Sequence, residues 1–136
     1  MSTKDVYKSE DQLPESIREK FLFFEELPEG YEFAEATFVE DKNIEKLSIL
    51  YMNLQNEELC IEELKMSQDS QAFNAMNSDT RVENWGEITV YVNEYTDGDQ
   101  EKVYTFILDN ILVDIKASLS MEEEKIKNMI QNVAQI

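Results

Sequence analysis

Three features of this sequence carry residue types able to do chemistry: a single thiol, three pairs of adjacent glutamates and an acidic turn. Cys60, in the stretch ELCIEEL, would act as a nucleophile only if a nearby cation or a helix N-terminus lowered its pKa. Flanked by Leu59 and Ile61, it reads instead as a small buried hydrophobe. As the sole cysteine it allows neither an internal disulfide nor a cysteine metal cluster. The pairs Glu25/Glu26, Glu57/Glu58 and Glu62/Glu63 hold the residue type that general acid–base catalysis uses. Adjacent residues of a strand point to opposite faces, so such pairs do not make a catalytic dyad there. Asp97, Asp99 and Glu101 in DGDQE offer the oxygen ligands a calcium ion takes. The stretch lacks the Asp-x-Asp-x-Asp-Gly ladder and the distal glutamate of a calcium loop, and reads as a turn between strands.

What is missing narrows the chemistry further. Histidine is absent, which removes Ser-His-Asp and Cys-His catalysis and all imidazole-ligated zinc. There is no G-x-S-x-G, no P-loop and no G-x-G-x-x-G, and three glycines leave little backbone for cradling a phosphate. The sequence therefore assigns no catalytic, cofactor-binding or metal-ligating residue and no cofactor, and argues against an enzyme. The aromatic run FLFF and Trp85 could line a ligand groove, but aromatics beside strands are more often core.

Acidic residues number 30 against 12 basic ones, a formal charge of −18. Binding to a nucleic-acid backbone needs clustered Lys and Arg, so nucleic acid is excluded as a partner. Spread as singles, pairs and one triplet, the acids read as a solvated surface, with a basic protein partner as the alternative. A length of 136 residues suits one domain with its own core, and 42% apolar content with 10% aromatics argues against disorder. No stretch is long and apolar enough for a membrane span, and the N-terminus lacks a secretion signal's hydrophobic centre.

These residues need elements to position them. Residues 1–12 are polar and read as a flexible segment, with a single α+β domain over 13–136. Pro14 with Ile17, Phe21 and Phe24 predicts a short helix over 15–24, stopped by Leu27 and Pro28. After Gly30 the period becomes two. Tyr31 and Phe33 lie on one parity and Ala34, Ala36 and Phe38 on the other, which predicts a strand with a bulge near its start. EDKNIEK reads as a charged turn. KLSILYMNLQ is apolar on both parities (Leu47, Ile49, Tyr51 against Leu50, Met52, Leu54) and reads as a central strand covered on both faces. LCIEELKMS is a further strand, and residues 67–80 read as a long loop.

In the second half, Ile88, Val90 and Val92 share one face of RVENWGEITVYVNEY, and TDGDQE turns the chain at Gly98. KVYTFILD returns. NILVDIKASLS then alternates Ile111, Val113, Ile115, Ala117 and Leu119 inward against Asp114, Lys116 and Ser118 outward. Ser120 with Glu123 matches a capping box, followed by Ile126, Met129, Ile130 and Val133 on one helical stripe. The expected fold is α+β: a curved antiparallel sheet of about six to seven strands packed against a C-terminal helix and a short N-terminal helix.

A short helix ending in LPEGY, a strand series ending near KMS, the Trp85–Gly86 turn and the closing YTFILDNILVDIKASLSMEEEKIKNMIQNV together resemble a known family. It is the uncharacterised extracytoplasmic C-terminal domain of Gram-positive bacterial membrane proteins, several of which are anti-sigma-factor-like. The resemblance runs from about residue 13 to 135. Its motifs are the corner at Pro28, Gly30 and Tyr31, the turn at Trp85 and Gly86, and the Ser120-x-x-Glu123 helix start. The family usually shows Asn-Gly where this chain has Asn84-Trp85-Gly86, and carries an upstream membrane span. The resemblance implies a non-catalytic sensory or protein-interaction domain, outside the cytoplasm, anchored by a segment not in this chain, with an unidentified protein partner. Two alternatives stand beside it: a cytoplasmic acidic inhibitor or immunity-type protein, and a small apolar-ligand or lipid carrier.

Overall fold

The computed structural model describes residues 2–42, 44–65, 79–96, 98 and 100–134. Its elements in chain order are β1 (Ser2–Tyr7), a 3-10 turn (Glu10–Gln12), α1 (Glu15–Arg18), β2 (Glu32–Asp41), β3 (Ile44–Met52) and β4 (Glu58–Lys65). After these come β5 (Arg81–Trp85), β6 (Ile88–Tyr95), β7 (Glu101–Leu108), β8 (Ile111–Ser118) and α2 (Glu123–Ala134). All eight strands form one antiparallel sheet in the order β1-β2-β3-β4-β8-β7-β6-β5. Two four-stranded meanders are thus joined through β4 and β8. The antiparallel sheet and the C-terminal helix agree with the sequence reading. The strand number does not: the described residues form eight, because residues 2–7 pair with β2 where a flexible segment was expected. Thr3, Val6 and Tyr7 favour a strand while Lys4 and Asp5 do not, and the edge of β2 supplies the partner backbone that decides the matter.

The turns follow side-chain chemistry. Asp109 and Asn110, at φ 53° and 64°, close β7 onto β8 in the left-handed conformation that Asp and Asn tolerate. Between β3 and β4, Asn53 accepts the amides of Gln55 and Glu57 on Oδ1 at 3.0 and 2.9 Å. At the LPEGY corner the Tyr31 amide donates to the Pro28 carbonyl at 3.2 Å, with Gly30 at φ +90°. A Cβ there would meet nothing within 4 Å, so it is the backbone angle and not space that calls for glycine. The bulge expected near the start of β2 appears as a register shift between Phe33 and Glu35.

One face of the sheet is packed. Leu47, Ile49 and Tyr51 of β3, Leu59 and Ile61 of β4, Tyr104 and Phe106 of β7 and the predicted Ile111, Val113, Ile115 and Ala117 of β8 form a single buried cluster. Leu13, Ile17, Phe21 and Phe24 cover it from the N-terminal segment, and Ile126, Met129 and Ile130 from α2. The helix expected over 15–24 ends at Arg18. Four consecutive apolar residues would put apolar groups on every side of a helix. An irregular strap over Phe21–Pro28 instead buries Phe21 and Phe24 and leaves Leu22 and Phe23 half-buried. Pro28 therefore opens a turn and does not stop a helix.

The other face carries no helix among the described residues, and this corrects the reading of β3. Leu50 and Met52 are only half-buried, and Leu54 lies in the following turn, 95% exposed. The capping box is also absent: α2 begins at Glu123, and the Ser120 hydroxyl lies 2.9 Å from that of Ser118. The loop expected over 67–80 falls almost wholly outside the described residues.

Candidate functional site: the two faces of β4

Period-two alternation in β4 sends Glu62 and Glu63 to opposite faces, as expected, and their surroundings could hardly differ more. Glu62 lies on the helix-free face, in a straight cross-strand row. Val6, Thr37, Ser48, Glu62, Asp114, Thr105, Tyr91 and Val82 are register partners from one edge of the sheet to the other. Lys46 Nζ lies 2.8 Å from Glu62 Oε2, and Lys116 pairs with Oε1. Burial pushes the Glu62 carboxyl up, and the hydrogen bonds and charges of Lys116 and Lys46 more than reverse this, leaving it below its ordinary value. The next position along the row is closed as well: the Thr105 hydroxyl donates to Asp114 Oδ1 at 2.6 Å. Half-buried Leu64 and Leu112 are register partners in the neighbouring row, which runs on to the exposed Ile107.

Cys60 sits on this same face, half-buried, opposite Lys116 and Leu50 in register. Burial, with the Glu62 charge adding to it, pushes the thiol up to about 11. It is protonated at neutral pH and is no nucleophile.

Glu63 faces the packed side and is 1% exposed. Its Oε1 accepts the Leu22 amide at 2.8 Å. Burial raises its carboxyl to about 8, against the Leu22 hydrogen bond, which acts the other way. Sealed from solvent, it has no route to a substrate.

The remaining residues singled out from the sequence fall into structural places. Glu25 and Glu26 are exposed on the strap. Glu57 accepts the Asn53 side-chain amide at 2.8 Å within a turn. Trp85 is buried and packs on Tyr104 with ring centroids 6.0 Å apart. Phe21 stacks edge-on to Phe38 at 6.1 Å, and Arg18 caps the half-buried Phe23 ring at 5.1 Å. Asp97 and Asp99 lie outside the described residues, while Glu101 pairs with Tyr95 and Ser118 in the ladder. Among the described residues no three acidic, cysteine or histidine side chains gather in a way that could hold a metal ion.

No family model, no curated protein and no solved structure matches this chain. No helix of the described residues is long and apolar enough to cross a membrane. Chemically, then, the helix-free face offers fixed charges, hydroxyls and half-buried aliphatic groups, which suit binding better than bond making. Sequence reasoning missed the cations that flank Glu62 and the burial of Glu63. The second had a local signal, since Glu63 shares its parity with Leu59 and Ile61.

Proposed function

We propose that this chain is a non-catalytic sensory or protein-interaction domain of a membrane-anchored, anti-sigma-factor-like regulatory protein, placed outside the cytoplasm by an upstream anchor. The compartment and the anchor rest on the family resemblance. The observation that supports an interaction role is the packing among the described residues: strap and α2 cover one face of an eight-stranded sheet, and on the other lies an ordered row of charges and hydroxyls beside Leu64 and Leu112. Such a surface is mixed in the manner of a transient interface. A photo-crosslinking residue at Leu64 or Leu112, in the full natural gene product within its host, tests this. Adducts from these positions and none from the exposed Glu29 support the reading, and adducts from neither or equally from all three count against it.

An open groove of about 440 Å³, lined by Ile88, Tyr91, Ile107, Leu108 and Ala134 together with the polar Glu87 and Thr89, supports the apolar-ligand carrier as a second reading. Native mass spectrometry of protein purified without detergent separates the two: a carrier shows an added small-molecule mass, and an interaction domain shows the bare chain. The charge of −18 supports the acidic inhibitor in the same indirect way, and a partner lost on raising salt is its signature.

A further inference from the structure

The strap over Phe21–Pro28 is held in an unusual way. From Phe21 to Leu27 the backbone makes no backbone–backbone hydrogen bond to described residues. Phe21 and Phe24 anchor it by burial, and the Leu22 amide, which needs an acceptor at this depth, finds Glu63 Oε1 at 2.8 Å. A side-chain carboxyl buried in an apolar cluster thus provides the polar tie between strap and sheet. Leu47 of β3 and Val113 of β8 are the register partners of Glu63, and the buried residues of α2 are Ile126, Met129 and Ile130. The charged groups on the same face of β3 are Glu45 and its partner Lys20, 3.2 Å apart, which lie two residues beyond Leu47 and bring no net charge to Glu63. The titratable group coupled to it is the Tyr51 phenol of β3, itself raised by burial and by the charges of Glu10 and Glu63.

We propose that the Phe21–Pro28 strap is a pH-responsive closure over the core face of the sheet, tied down by Leu22 and Glu63 and loosened when Glu63 loses its proton to water. The neutral acid accepts one amide and has a single O–H left to place, a smaller demand than that of a buried charge. The carboxylate needs several donors or water, and the strap is the part of its surroundings with the fewest backbone bonds to break. The chain has no histidine, so a carboxyl raised to near neutrality takes over the titration that histidine ordinarily supplies.

The direction of the response follows from linkage. With the strap closed Glu63 binds its proton up to about pH 8, and with the strap lifted it returns to the ordinary glutamate value of roughly 4.3. Raising pH across that interval favours the lifted state by up to about tenfold per pH unit, levelling off above the closed-state value. Excess carboxylates elsewhere do not imitate this locally, because they repel throughout the molecule.

Amide hydrogen exchange on the full chain at pH 5.5, 6.5 and 7.5, corrected for intrinsic exchange, tests the closure. Expected is an opening equilibrium at Leu22, Phe23 and Phe24 that rises about tenfold per pH unit and stays far above that of Val113 and Ile115, which open only with the whole molecule. Glu63→Gln keeps the acceptor and removes the proton, and should flatten the slope at the strap. A slope that persists in Glu63→Gln, or strap amides whose opening equilibrium equals that of Val113 and Ile115 at every pH, overturns the proposal. Carbon-13 titration of the wild-type Glu63 carboxyl stands independently of any variant: a midpoint above pH 7 supports the closure, and one near 4.3 overturns it.

Discussion

Two adjacent glutamates on one strand show how far environment can separate identical side chains. Glu62 is held below its ordinary value by two lysines, so its stabilising share is present above that value and fades as pH falls through the lowered one. Its partners are well exposed, which keeps that share under about 1 kcal/mol. Glu63 has the opposite sign. Its folded-state value is raised, so stability is full below the unfolded glutamate value and is lost as pH rises toward 8. Glu63→Gln should therefore leave stability unchanged near pH 4 and raise it by on the order of 4 kcal/mol at pH 8, read from urea unfolding at both pH values. An equal effect at both would mean that packing, and not charge, separates the two side chains. The opposite facing of this pair was legible, because alternation is a local property. The parity of Glu63 with Leu59 and Ile61 pointed it inward, but what seals it there was not legible, because the strap lies 41 residues away along the chain.

Elements divided in the same manner. α2 was readable from its stripe, and its burial predicts the outcome of truncation: Ile130, fully buried, should cost about 3 kcal/mol on replacement by Ala, measured by chemical denaturation. The start of α2 was misread. Since Ser120 precedes Glu123 without capping it, Ser120→Ala should cost under about 0.5 kcal/mol, whereas a true N-cap loses about 1. A loss near the larger figure would restore the capping box. Turns at Gly86 and Gly98 were marked by glycines that tolerate positive φ, and the bulge in β2 by a slip in parity, whereas the Asp109–Asn110 turn between β7 and β8 was passed over. β1 had no such mark, since an edge strand owes its conformation to the neighbour it pairs with. The strap was missed for a related reason: FLFF satisfies a helical spacing locally, and only the shape of the sheet beneath decides that an irregular path buries it better.

At the scale of the molecule, a charge of −18 on a chain of this size works against the folded state. Screening should relieve it: raising NaCl from 0.05 to 0.5 M is expected to stabilise the protein by about 1 kcal/mol, or roughly 3–5 °C in melting temperature. A melting temperature that is unchanged or falls would show that the ion pairs of the helix-free face outweigh the general repulsion. Composition and period alone determined a great deal here: an antiparallel α+β fold, the inward residues of β8, the apolar stripe of α2, and the lack of imidazole chemistry and of an internal disulfide. Each of these is set by residue type or by neighbours a few positions apart. The tertiary structure decided the strand order, the pairing of β4 with β8, the recruitment of β1 and the fate of Glu63. Those depend on which distant segments meet, and on how much water is left between them, quantities that no local spacing carries.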